Sequence, residues 1–161
     1  MMSMPVLFVI KNKKNQYHYM KNFPSPSQLL PHRPPMLLVE KIVEFEPNTH
    51  LISEAFFRED NYFFKGHFEG NPITPGVILV ETMFQTCGLF IRLNLEYSKV
   101  PGSILGRAIK IKNTTFNQEV YPEQRLRISS KLKSIIMGFY TFECEVTSED
   151  KVVCLAELVL K

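Results

Sequence analysis

Apolar and polar positions fall into blocks of distinct period along this chain. Across residues 37–46, Leu37, Val39, Val43 and Phe45 share one parity while Glu40, Glu44 and Glu46 share the other. Such alternation predicts a strand with one buried face. Residues 50–57 predict a second strand, with Pro47-Asn48 as the turn between the two. A segment punctuated by Gly and Pro, residues 60–75, reads as loop. Residues 76–97 then run without proline and are too long for a strand. Their apolar residues, among them Ile78, Leu79, Val80, Met83, Phe84, Leu89, Phe90 and Ile91, cover nearly every angle of a helix. A helix apolar on nearly all sides must be buried on most of them, and in 161 residues that requires a sheet wrapped around it.

The rest of the chain supplies that sheet, with strands predicted at 104–112, 124–134, 135–147 and 152–160. The second is the clearest: Arg125, Arg127, Lys131 and Lys133 alternate with Leu126, Ile128 and Leu132. Gly138 and Ser148-Glu149-Asp150 mark breaks near or between the later strands. Two strands, one long helix and four more strands predict an α+β fold with a largely antiparallel sheet, occupying residues 27–161 as one domain. Residues 1–26 read as an extension outside the core. Their apolar run precedes Lys11, Lys13 and Lys14, the reverse of a secretory signal, and Met20 is a candidate start.

Composition narrows the function classes. Hydrophobic residues are 45% and charged residues 22% of the chain, values of a globular protein rather than a disordered one. The absence of eighteen consecutive apolar residues argues against a membrane span. Cys87, Cys144 and Cys154 are odd in number and show no C-x-x-C spacing, so buried free thiols in a reducing cytoplasm are expected, rather than disulfides or zinc. The net charge of +3 is too small to indicate nucleic-acid binding. Residues 1–26 contribute +4 and the remainder −1, although Lys99 to Lys133 forms a basic segment of +6.

Candidate chemistry concentrates at the loop-to-helix junction, Gly66-His67-Phe68-Glu69-Gly70-Asn71-Pro72-Ile73-Thr74-Pro75-Gly76-Val77. His67 stands near two glycines, where backbone can approach a ligand closely. Gly76 opens the helix, whose first N–H groups are free donors for an oxyanion. Glu81 and Gln85, one turn apart, draw a narrow polar stripe on the otherwise apolar helix. A carboxyl group there must be paired, protonated or solvated in a cavity. A loop histidine, a helix carboxyl and free amides form an acid–base constellation. Turn furniture and a satisfied core carboxylate are the bland readings of the same residues.

The blocks Leu29-Leu30-Pro31-His32-Arg33, Met36-Leu37-Leu38-Val39-Glu40, Gly66-His67-Phe68-x-Gly70-x-Pro72-Ile73-x-Pro75-Gly76-Val77 and Glu81-x-Met83-x-Gln85 resemble the (3R)-hydroxyacyl-[acyl carrier protein] dehydratases of the FabZ type. The resemblance runs over residues 27–161 and implies a hotdog fold, a curved antiparallel sheet around one long central helix. It implies fatty-acid or related acyl-chain biosynthesis, with His67 as the base at C2 and Glu81 as the acid at the 3-hydroxyl. The Gly76 N–H would hold the thioester carbonyl, with Gln85 and Gly70 in support. It further implies a homodimer whose Glu81 serves the partner's His67, with assembly into hexamers left open. The substrate arrives on acyl carrier protein, and neither metal nor organic cofactor is implied. Glu rather than Asp at position 81 leans toward the simple dehydratase over the dehydratase-isomerase.

Departures from the family pattern mark a divergent member. Glu69 stands where Pro is usual, Thr74 where an apolar residue is, and Phe84 where a small one is, so that Phe84 is expected to narrow the acyl tunnel. Pro34 replaces an aromatic residue, and Glu123-Gln124 stands where Gly-Asp is usual. His32, between Pro31 and Pro34, reads as structural. Arg125, Arg127, Lys131 and Lys133 read as a solvated strand face or, alternatively, as a dock for acidic carrier protein. Two competing functions use the same fold: an acyl-thioesterase, and a non-catalytic acyl-carrier-binding subunit.

Overall fold

The computed structural model describes residues 8–11 and 17–20 as backbone, and residues 23–99 and 106–161 with their side chains. Strands β1 (Phe8–Lys11) and β2 (Tyr17–Met20) form an antiparallel pair of their own, two strands that the sequence pattern does not predict. After a short helix α1 (Pro26–Leu29) come β3 (Lys41–Glu46), β4 (His50–Phe56), the long helix α2 (Gly76–Ser98), β5 (Ala108–Phe116), β6 (Arg125–Ile136), β7 (Phe139–Ser148) and β8 (Lys151–Leu160). Strands β3 to β8 make one curved antiparallel sheet in the order β3-β4-β6-β7-β8-β5. This is the expected hotdog architecture.

Helix α2 packs against β4, β6, β7 and β8. By length and composition alone it could cross a membrane, but most of it is buried inside this fold. The core joins Met83, Leu89, Phe90 and Ile91 of α2 to Leu51, Leu126, Ile128, Phe142 and Leu158 of the sheet, all at most 1% exposed. Polar groups on the sheet-facing side of α2 are paired: the Thr82 and Thr86 hydroxyls donate to carbonyls one turn back, and Ser53 Oγ meets Thr86 Oγ1 at 2.8 Å. The three cysteines are free and buried, as expected.

Strands β3 and β5 depart most from their predicted patterns, and the break predicted after residue 134 falls instead at Met137-Gly138, between β6 and β7. A bulge between Ile42 and Glu44 shifts the β3 register, so Ile42 and Phe45 are buried while Val43 is only half-buried. Strand β5 begins and ends four residues later than predicted; residues 104 and 105 lie outside the described residues. Its ladder with β8 is interrupted twice, and Asn113 takes a left-handed φ of 49° at the second break. As an edge strand, β5 leaves Ile109, Ile111 and Phe116 about half exposed.

Candidate active site

The loop before α2 is shaped by its own backbone. Phe68 and Asn71 each donate an N–H to the other's carbonyl at 3.1 Å. Gly66 and Gly70 have φ of 92° and 74°, conformations that suit glycine and strain other residues. The His67–Phe68 peptide is cis, and the two rings stack 4.2 Å apart. Ile73 clamps His67 twice: its N–H donates to the His67 carbonyl at 2.9 Å, and its carbonyl accepts from His67 Nδ1 at 3.0 Å. A carbonyl only accepts, so Nδ1 carries the proton and Nε2 keeps the lone pair that a general base needs. Glu69 is exposed at the turn.

Gly76 is the first residue of α2, after Pro75 at the N-cap. It packs directly against the Phe116 ring. His67, Thr74, Gly76, Phe116, Asn117 and Glu119 line a common cleft of about 450 Å³. Thr74 is 5% exposed; its N–H donates to the Val120 carbonyl at 2.7 Å, and its hydroxyl has no partner. Phe84 lies in the buried core and does not line this cleft.

Glu81 is held elsewhere. Gln85, fully buried, donates from Nε2 to Glu81 Oε1 at 2.9 Å and to the Met36 carbonyl at 2.7 Å. Gln85 Oε1 accepts from the N–H groups of Leu38 at 2.9 Å and Val39 at 3.4 Å. One side chain therefore ties α2 to residues 36–39 and orients the carboxyl one turn before it. Glu81 keeps 29% of its side-chain surface exposed, and His32 Nε2 approaches its Oε1 to 3.3 Å. The structural reading of His32 gave no sign of this contact. Among the described residues, no hydrogen bond joins His67 to Glu81 within one chain, and Glu81 does not line the cleft.

The basic face of β6 is partly neutralised. Arg125 reaches Glu40 and Glu54 at 3.1 and 3.3 Å, Arg127 lies 3.9 Å from Glu44, and Lys133 contacts Glu143 and Glu157 at 2.9 and 3.1 Å. Lys131 and Lys133 line a second groove of about 440 Å³ together with Glu143, Glu145 and Glu157. These pairs suit a solvated strand face. Among the described residues, no group of three or more His, Cys, Asp or Glu side chains is placed to hold a metal ion.

Comparison with known proteins places these features in context. The FabA-like domain family matches residues 30–157. The 3-hydroxyacyl-[acyl-carrier-protein] dehydratase FabZ of Legionella pneumophila (strain Corby) is 34% identical over 131 residues, covering 81% of this chain and 87% of the relative. FabZ of Cupriavidus taiwanensis is 33% identical over 132 residues, covering 82% and 87%. Among solved structures, the dehydratase heterocomplex ApeI:P from Xenorhabdus doucetiae matches with a TM-score of 0.75 at 20% identity, covering 86% of this chain and 91% of that one. A hypothetical thioesterase with coenzyme A from Streptococcus pneumoniae TIGR4 matches at 0.57 with 13% identity, covering 74% and 82%. At these identities the two structures speak for the fold alone.

Proposed function

The chain belongs to the FabA-like family, among its FabZ-type 3-hydroxyacyl-[acyl-carrier-protein] dehydratases, and on that premise we propose how its residues perform the reaction. The enzyme dehydrates a (3R)-hydroxyacyl thioester carried on acyl carrier protein to the trans-2-enoyl thioester, in acyl-chain biosynthesis. His67 Nε2 takes the proton from C2, the C3–O bond breaks, and Glu81 gives its proton to the departing hydroxyl, so that water leaves. The Gly76 N–H, at the positive end of α2, stabilises charge developing on the thioester carbonyl oxygen. His67 would be reset by passing its proton to solvent and Glu81 by regaining one. The reaction asks for no metal or organic cofactor, and the cytoplasm supplies its carrier-bound substrate.

One observation carries this reading: His67, with its lone pair on Nε2, and Gly76 share one cleft. The acid belongs to the same site through a second copy of the chain. Edge strand β5 exposes Ile109, Ile111 and Phe116, and the cleft mouth exposes Val77 at 74%. A homodimer covering this apolar edge would bring Glu81 of one subunit to His67 of the other, across an isologous interface. Gly70 supports the turn that carries His67. Carrier protein would meet this mouth or the β6 face, where Lys131 has no ion pair among those described.

The test follows enoyl absorbance and free thiol separately, with 3-hydroxybutyryl and crotonyl thioesters on carrier protein. Interconversion without thiol release is expected; thiol release alone selects a thioesterase, and neither signal across several chain lengths leaves a non-catalytic subunit. His67→Ala and Glu81→Ala should each lower the rate by ~10²–10⁴-fold. Mixing and re-assembling the two inactive variants should recover about a quarter of the sites, because half the dimers then hold one intact site. No recovery on mixing refutes the shared site.

A further inference from the structure

The tip of the hairpin joining β6 and β7 is an exposed apolar feature that neither the core nor the cleft uses. Its last cross-strand pair is Ile136 with Phe139, and Met137 and Gly138 make the turn with φ of 52° and 79°. A two-residue turn with both φ positive favours Asn, Asp or Gly, so the backbone gives no reason for a methionine there. Burial gives none either: Met137 is 89% exposed, Ile136 64% and Ile135 48%. The neighbouring strands stop short of this tip. The ladder of β4 with β6 ends at Lys131 and that of β8 with β7 at Tyr140, so the turn projects past both. A bulky, exposed residue held in a left-handed conformation carries a local cost that points to function rather than packing.

The surface around the tip is basic. Residues 106–112, 132–142 and 158–161, which meet at this end of the sheet, carry Arg107, Lys110, Lys112, Lys133 and Lys161 and no Asp or Glu. Glu157 holds Lys112, and Glu143 and Glu157 hold Lys133. Arg107, Lys110 and Lys161 have no ion pair to a side chain among the described residues. Lys161 Nζ stands 4.5 Å from the centre of the Phe139 ring, and Arg107 and Lys161 exchange both their backbone hydrogen bonds. Glu44 and Glu46 lie on β3, beyond β4, against His50.

Size and charge together choose the occupant. A specific protein interface takes ~800 Å² from each partner, more than three side chains on a convex tip present. A second copy meeting the tip symmetrically would set like charges face to face. An anionic lipid surface asks only for a small aliphatic wedge ringed by cations. We propose that the β6–β7 tip docks this protein on an anionic membrane surface. Ile135, Ile136 and Met137 enter the boundary between headgroups and acyl chains, and Arg107, Lys110 and Lys161 lie against the lipid phosphates. The cleft is lined by Phe116, at the other end of β5 and about 25 Å along the strand, so a docked subunit holds its own cleft off the lipid. Docking does not depend on the reaction assigned to that cleft.

The test is flotation of the full chain with vesicles of phosphatidylcholine alone and of phosphatidylcholine mixed with phosphatidylglycerol. Wild type should float with the mixed vesicles at low salt, lose most of that binding at high salt, and stay off phosphatidylcholine alone. A double variant, Ile136→Thr with Met137→Asn, keeps a β-branched residue in the strand and suits the turn, so the hairpin should still fold. It should bind the mixed vesicles ~10-fold or more weakly, and Arg107→Gln and Lys161→Gln ~5-fold each. Circular dichroism and thermal unfolding of each variant should match wild type. Failure of wild type to float with the mixed vesicles overturns the proposal, and so does equal binding by the folded double variant. If the double variant instead changes the sedimentation of the protein or its affinity for carrier protein, with vesicle binding unchanged, the tip is a protein contact and the proposal falls.

Discussion

Replacing Gly76 by alanine adds one methyl group at a point where the cleft wall already presses on the helix. A Cβ at this position stands 2.7 Å from Phe116 Cε1, 2.8 Å from Cζ and 3.2 Å from Cδ1. Two carbon atoms are at their optimum at ~3.5–4.0 Å, so the ring must withdraw by about 1 Å. Phe116 is 52% exposed on the edge strand β5, and the contacting atoms are the outer end of its ring. In a single subunit it can swing away, which keeps the overpacking penalty near the low end, about 1 kcal/mol. Alanine in place of glycine offsets ~0.4–1 kcal/mol of this by restricting the unfolded chain. The thermal midpoint should therefore move by no more than about 2–4 °C.

Activity should respond far more than stability. Phe116 lines the cleft together with His67 and Gly76, and a displacement of about 1 Å at a reacting centre can cost ~10²-fold. Gly76→Ala is expected to lose ~10–10²-fold in kcat/KM on the carrier-bound thioester while unfolding like wild type. Phe116→Ala in the same chain removes the obstacle. A double-mutant cycle should then show a coupling of about 1–3 kcal/mol, with the double variant better than the two losses combined. If Phe116→Ala brings no recovery while sedimentation still finds the dimer, the steric account is refuted and the loss belongs to a displaced Gly76 N–H.

Three other expectations follow from groups with settled partners. Gln85→Leu leaves the buried Leu38 N–H unpaired and frees the more exposed Met36 carbonyl, which should cost about 1–3 kcal/mol in urea unfolding; a loss below about 0.5 kcal/mol would contradict that bonding. Burial, reinforced by the Cys144 thiol, pushes Cys87 well above the ordinary thiol range and Cys154 up to about 11. The native chain should thus resist a maleimide at about pH 8 and label at all three cysteines once denatured, whereas a rapidly labelled native thiol would count against it. The Lys112 and Lys133 ammonium groups hold the Glu157 carboxyl below its ordinary value. That stabilisation is present above the ordinary carboxylate range and fades as pH falls through the lowered value. Urea midpoints of wild type and Glu157→Gln should accordingly differ at neutral pH and converge toward about pH 3; a gap that persists in acid would reject the linkage.

How much of this was legible in the chain depends on whether an element's environment is local. The all-round apolar surface of residues 76–97 announces a buried helix because burial on every side leaves no polar face to confuse the period. The β6 alternation is equally plain, since Leu126 and Ile128 face the core while Arg125 and Arg127 face solvent. Strand β3 misleads because a bulge exchanges the roles of Ile42 and Val43, and parity assumes an unbroken ladder. Strand β5 misleads because Ile109 and Ile111 are not core residues of this chain, so their parity does not report its interior. Glu123 takes a left-handed φ of 64° at the turn where the family pattern has glycine, and its carboxylate accepts the Glu59 N–H at 3.0 Å. The cleft shared by His67 and Gly76 and the bond between Glu81 and Gln85 agree with the motif and the helix spacing. The approach of His32 to Glu81 left no such sign, because it joins the helix to the segment before β3, a contact with no periodic trace.

The groups proposed as base and acid are immobilised separately and by different means. His67 is fixed through Ile73 within one loop, and Glu81 is fixed by Gln85, which bridges the helix and the segment before β3. Each keeps one reactive atom, Nε2 or Oε2, without a hydrogen bond among the described residues. The conformational entropy of ordering these side chains is therefore met on folding, before any second copy arrives. In the proposed homodimer, association would have only to cover the apolar edge of β5 and bring two prepared halves together, so one event would both bury Ile109, Ile111 and Phe116 and complete the acid–base pair. On this account a substitution at Ile109 or Ile111 that weakens the β5 edge should lower dehydration in proportion to dimer lost, with His67 and Glu81 untouched.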